Sequence, residues 1–127
     1  MSDISDYLEG ALLDHVYRNV PLASPAAVYL ALYTSDPGDD NSGTEVSGAG
    51  YARQIVTFDR TLNTISNNVA LTYTASGGDF GTITHIGVLD ALAAGNLLHK
   101  SALDTPKTIE DGDQLTFAIG DVDFTLD

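Results

Sequence analysis

The sequence predicts a mainly β protein: an antiparallel β-sandwich, jelly-roll-like, with one N-terminal α-helix. Three observations predict it. After Pro25, apolar and polar residues alternate at period two through most of the chain. Clusters of Gly, Asp, Asn and Ser interrupt that alternation at short intervals, as turns between antiparallel strands do. Only the N-terminal stretch repeats its apolar side chains at a spacing of three to four. No internal repeat and no linker divides the sequence. Residues 1–127 therefore read as a single domain, with a helix at about 4–18 and a β-rich region over 26–127 that contains a long loop at 35–50.

The helix comes first. Ser2 or Asp3 is placed to cap it near Ile4, and Asp3, Asp6 and Glu9 suit its positive end. Ile4, Leu8, Ala11 or Leu12, and His15 or Val16 make one apolar stripe, Arg18 falls in the last turn, and Pro21 stops continuation.

Ala27-Val28-Tyr29-Leu30-Ala31-Leu32-Tyr33 is an unbroken apolar run, which predicts a strand over 27–34 buried on both faces. Residues 35–50 follow as a flexible polar loop, longer than most connections in compact domains. A strand over 51–60 places Ile55 on one face and Val56 near Phe58 on the other. Over 68–74, Val69, Leu71 and Tyr73 face one way. Ser76-Gly77-Gly78-Asp79 is a turn, and 80–90 a strand in which Gly81 and Gly87 signal a bulge or close packing. Residues 91–96 turn, 97–103 form a strand, and 106–113 end in the turn Glu110-Asp111-Gly112-Asp113. A final pair of segments carries Leu115, Phe117 and Ile119, then Val122, Phe124 and Leu126, separated by Gly120-Asp121.

Charge narrows the partners. Five Lys and Arg stand against 18 Asp and Glu, a net charge of −13 and a pI near 4.1. Such a surface repels phosphate backbones and anionic lipid, so neither nucleic acid nor membrane is an expected partner. The chain has no Cys, which removes disulfides and thiolate chemistry. No apolar run approaches the roughly 20 residues that cross a bilayer. The N-terminus is acidic where a signal peptide is basic, so a soluble product is expected.

Nothing has the spacing of a catalytic site. His15, His85 and His99 have no second ligand at a recognised metal spacing, and read as packed or surface residues. Asp36, Asp39, Asp40, Asn41 and Glu45 supply oxygens in one loop, but without the Asp-x-Asp-x-Asp-Gly pattern or flanking helices of a calcium hand. There is no Gly-x-Ser-x-Gly elbow. Gly48-Ala49-Gly50 lacks the Lys-Ser or Lys-Thr of a phosphate loop. No catalytic residue, metal ligand or cofactor is expected, and the chain reads as a non-enzyme. The residues singled out for contact are Tyr7, Tyr51, Arg53 and Arg60. The two arginines flank the apolar centre of one strand and suit structural or intersubunit ion pairs. Tyrosine buries a large ring while offering a polar tip, which suits an interface.

Several segments together carry a family resemblance. They are Ser5-Asp6-Tyr7-Leu8-Glu9, Leu12-Leu13-Asp14-His15-Val16, Val28-Tyr29-Leu30-Ala31-Leu32-Tyr33-Thr34-Ser35-Asp36-Pro37 and Glu45-Val46-Ser47-Gly48-Ala49-Gly50-Tyr51-Ala52-Arg53-Gln54. Further along come Thr82-Ile83-Thr84-His85-Ile86-Gly87-Val88-Leu89-Asp90, Gly95-Asn96-Leu97-Leu98 and Gly112-Asp113-Gln114-Leu115-Thr116-Phe117. In this order they resemble small virion proteins of tailed bacteriophages, of the head-decoration, head-fibre or tail-fibre type. The resemblance implies no cofactor and no catalytic residue. It implies a virion protein assembled in the host bacterial cytoplasm, with the major capsid protein or other virion proteins as partners, and a homo-oligomer.

The leading expectation is a capsid-exterior decoration, cement or head-spike-base subunit working through symmetric protein–protein contacts. The alternative is a tail-tip or tail-fibre structural or adhesion protein, whose 35–50 loop meets a receptor or fibre. A third reading, a carbohydrate-binding β-sandwich module, has to contend with the absence of Trp and 8% aromatics, because sugar sites use exposed aromatic platforms.

Overall fold

The computed structural model describes residues 2–126, which build an antiparallel β-sandwich with one N-terminal helix. A three-residue strand β1 (Ser2–Ile4) leads into helix α1 (Asp6–Tyr17). Nine strands follow: β2 (Val28–Tyr33), β3 (Gln54–Val56), β4 (Phe58–Thr61), β5 (Thr64–Asn67), β6 (Leu71–Thr74), β7 (Gly81–Leu89), β8 (Leu97–Ile109), β9 (Gln114–Phe117) and β10 (Asp123–Thr125). One sheet has the order β1-β8-β7-β2-β3; the opposing layer is made of β10-β5-β4 and of β6-β9.

The core lies between these layers. Leu30, Leu32, Ile83, Ile86 and Val88 of the large sheet meet Leu71, Tyr73, Leu115, Phe117, Val122 and Phe124 of the smaller ones. Because β2 is apolar at every position, its other face is buried too: Ala31 and Tyr33 form a second cluster with Leu89 and Leu97. Gly87 belongs to this cluster by what it lacks. A Cβ there would stand 2.9 Å from both Leu97 Cδ1 and Tyr33 Cε1, so the bare backbone makes room for both side chains. The close-packing expectation for Gly87 is met.

The structure corrects several boundaries. The helix is capped by Ser5, whose Oγ accepts the Leu8 N–H at 3.1 Å, and not by Ser2 or Asp3. Those two residues instead extend the sheet, pairing with Ser101 and Lys100 of β8. Ser5 is fully buried, with its N–H on the Leu98 carbonyl at 2.9 Å and its hydroxyl on the Leu97 carbonyl. The helix ends at Tyr17, and Asn19 follows at φ +57°.

The strand expected over 51–60 is two strands in different sheets, parting at Thr57: β3 pairs with β2 and β4 with β5. Arg53 and Arg60 therefore do not flank one strand. Residues 97–109 are one strand rather than two segments. It runs through Pro106 because four residues, 103–106, face the single Thr84 of β7, so the missing N–H falls in a bulge. The final two segments do not pair with each other. β9 joins β6, and β10 crosses to β5.

Candidate functional site

Helix α1 is amphipathic only weakly, and none of its residues is fully buried. Leu8 and Leu12 face the sandwich, while Leu13, Val16 and Tyr17 are 57%, 63% and 78% exposed. Tyr7 is half-exposed beside Leu22 and Pro25. These side chains leave an exposed apolar surface on an acidic molecule.

The 35–50 loop, expected to be flexible, is folded back on the sheet. Tyr33 bridges to Glu45, the Thr34 N–H donates to the Thr44 carbonyl at 2.9 Å, and the Val46 N–H to the Leu32 carbonyl at 3.0 Å. Gly43 stands so close to Asp36 and Pro37 that a Cβ would meet the Asp36 carbonyl oxygen at 2.3 Å. At the loop's start Lys100 Nζ donates to Asp36 Oδ1 at 2.8 Å, and His85 Nε2 lies 3.9 Å from Asp36 Oδ2. The Lys100 hydrogen bond is the chief cause that holds the Asp36 carboxyl below its usual range. Tyr33 Oη donates to Asn41 Oδ1 at 2.8 Å.

At the loop's end Glu45, Tyr51 and Arg53 form one joint. Arg53 grips Glu45 in two parallel bonds of 2.8 Å, Nε to Oε2 and Nη2 to Oε1. Its Nη1 donates to the Ala91 and Ala94 carbonyls, each at 2.8 Å, tying the loop to the turn before β8. Tyr51 Oη donates to Glu45 Oε2 at 2.6 Å and accepts the Leu32 N–H at 3.1 Å. Its ring lies 6.3 Å from Tyr73 and 5.8 Å edge-on from Phe80. Burial raises the Glu45 carboxyl, but the Arg53 and Tyr51 hydrogen bonds and the Arg53 charge outweigh it, and Glu45 stays below its usual range.

The four sequence-selected residues thus fall in three places. Tyr51 and Arg53 meet on Glu45, with the Arg53 side chain only 7% exposed. Tyr7 lies on the helix. Arg60 is exposed on β4 and donates from Nη1 to the Leu62 carbonyl at 2.7 Å. Sequence reading missed Leu62, 84% exposed at the β4–β5 turn, and Asn67, buried in the core. For Leu62 the signal was present: the pair Leu62-Asn63 separates two strand-like runs, as a two-residue hairpin turn does.

Among the described residues no three His, Cys, Asp or Glu side chains converge as a metal site requires. Among the same residues no helix is long and apolar enough to cross a membrane. No curated protein matches the chain. A family model described as "Podophage GP4 fiber I protein gp80" matches residues 3–125, nearly the whole sequence. The match spans both layers of the sandwich, helix α1 and the Glu45–Arg53 joint. This chain belongs to the podophage GP4 fiber I protein gp80 family, a family of phage virion fibre proteins.

Proposed function

We propose that this virion protein is a non-enzymatic subunit on the capsid exterior, a decoration, cement or head-spike-base protein acting as one domain through symmetric contacts with its own copies and with other virion proteins. The observation that carries the reading is the exposed apolar side of α1 on a molecule of net charge −13. Leu13, Val16 and Tyr17 offer area for burial against a partner, while the acidic remainder keeps free copies apart until assembly. An acidic outer surface also suits a particle whose DNA is inside, since acidic groups lining the interior would oppose packaging. Tyr7, beside this helical surface, and Arg60 are the sequence-selected residues best exposed for such contacts. Tyr51 and Arg53 support the reading as the internal frame that shapes the loop. Immunogold labelling of purified particles tests it: label on heads is expected, and label confined to tails rejects the head assignment.

The fibre description of the family favours a second reading, in which the protein stands at the tail tip or fibre base and the 35–50 loop meets a receptor or fibre. Replacing that loop with a short linker and measuring phage adsorption separates the two. A head protein leaves adsorption unchanged.

A further inference from the structure

The sandwich is open along one seam, where a cleft of about 470 Å³ separates β8 from β9 and the start of β10. One end of the seam already holds a strand: β1 pairs with β8 at His99–Ser101 and lies beside β10. From Ser101 onward the cleft stays empty between residues 101–107 and residues 115–123. That length takes about five extended residues at ~3.3 Å each.

The β9 side of the cleft carries unused backbone groups. Among the described residues the one sheet neighbour of β9 is β6, and that of β10 is β5. The Ala75 N–H donates to the Asp113 carbonyl at 3.0 Å, and bonded pairs alternate along an antiparallel ladder. Thr116, opposite Thr72, therefore sits in a non-bonded pair, and the 3.2 Å between their hydroxyls agrees. Its N–H and C=O turn away from β6, toward the cleft that Thr116 lines. Counting in the same way from the Asn67–Val122 bond turns the N–H and C=O of Asp123 to that side too.

The two walls are guarded differently. Along the seam β8 has a bulge, Pro106 and Lys107, all of which blunt an edge, whereas Gln114–Phe117 of β9 has neither charge nor proline. Ile86, Leu103 and Phe117 supply apolar surface within the cleft, while exposed Asp104, Asp121 and Asp123 line it against one cation, Lys107. A strand entering here meets apolar side chains on its inner face and carboxylates on its outer one. Its complement is a segment apolar at alternate positions with Lys or Arg between them. A second copy has no such segment: Lys and Arg stand at 18, 53, 60, 100 and 107, so no six consecutive residues carry two.

We propose that this seam is a strand-addition site, where an extended basic segment of another virion protein pairs with the Thr116 edge of β9. That the partner belongs to the virion rests on the reading above; the pairing itself is tested on the isolated chain. The probe is an acetylated, amidated Lys-Val-Lys-Val-Lys-Val peptide titrated into isotope-labelled protein and followed by NMR. Shifts are expected at Leu103, Thr116 and Asp123, with slowed amide exchange at Thr116 and an affinity that falls as salt rises. A Glu-for-Lys peptide should not bind. N-methylation of the valines blocks one edge of the peptide and of the lysines the other, so one of these two forms should bind at least about tenfold more weakly. Thr116→Pro deletes the cleft-facing N–H and spares the β6 ladder, so it should melt close to wild type and lose affinity by a similar factor. Should that variant fail to fold, the methylated peptides still decide. No binding at millimolar peptide, shifts spread over the acidic surface, or undiminished binding of both methylated forms overturns the proposal. So does wild-type self-association through Thr116, which would put a second copy in the seam. None of these outcomes alters where immunogold places the protein on the particle, so the two readings fail separately.

Discussion

Asn67 holds Val122 at the end of the β5–β10 pairing: its Oδ1 accepts the Val122 N–H at 2.9 Å, while its own N–H donates to the Val122 carbonyl at 3.0 Å. The rest of the amide is equally committed. Oδ1 also accepts the Gly120 N–H at 3.0 Å, and Nδ2 donates to the Val69 and Ala118 carbonyls at 2.8 and 3.0 Å. One buried side chain thus satisfies the backbone of the β9–β10 crossover, where no ladder exists.

Asn67→Asp replaces two donors with a second acceptor facing two carbonyls. It should destabilise the protein by about 3 kcal/mol in urea unfolding, with an unchanged m-value.

Gly87→Ala tests the second cluster. The added methyl must displace Tyr33 or Leu97, both in direct conflict with it at 2.9 Å. A cost of about 1–3 kcal/mol is expected, and Leu97→Ala in the same chain should restore part of it, because the shortened side chain vacates the space.

The Glu45–Arg53 joint predicts an acid limit. Glu45 is depressed below its ordinary value of 4.5, so its contribution is fully present above that pH and is lost as pH falls through the lower folded value. Glu45→Gln should cost about 2 kcal/mol at neutral pH. Melting curves of the two proteins should then converge as pH falls below 4.5.

The buried tyrosines predict an alkaline limit of opposite sign. Burial, aided by the Glu45 charge, pushes Tyr33 up to about 12, and burial raises Tyr51 and Tyr73 as well. The folded protein keeps phenolic protons that the unfolded chain releases near 10, so stability is intact below pH 10 and falls away between 10 and 12. Absorbance at 295 nm and the far-ultraviolet β signal should change together in that interval. Phenolate absorbance from Tyr33, Tyr51 and Tyr73 appearing while the β signal persists would refute this.

The sandwich was legible because its signals are local. Period two marked Leu71 and Tyr73, Leu115 and Phe117, and Val122 and Phe124, all of which are buried. A run apolar at every position marked β2, whose two faces serve two clusters. Sheet membership was not legible, because alternation fixes which side chains turn inward but not which strand lies alongside. Hence β3 and β4 read as one strand, and the partners of β9 and β10 stayed undetermined. Pro106 read as a break because a bulge opposite Thr84 is a property of the pairing, not of either segment. The helix began two residues early because Ser2, Asp3 and Ser5 can all cap, and only the pairing of Ser2 and Asp3 with β8 removes the first two. At the candidate site, Arg53 was visible as a rare cation, whereas its partner Glu45 was one of 18 acidic residues that the sequence could not rank.

The pairing of β1 with β8 and of β5 with β10 has a consequence for synthesis. The large sheet cannot complete before β8 is made, nor the opposing layer before β10, so Leu30, Leu32 and their neighbours stay uncovered until those late strands arrive. Folding is then dominated by distant partners and correspondingly slow. That interval, with apolar strands still unpaired, is when a chaperone would matter most.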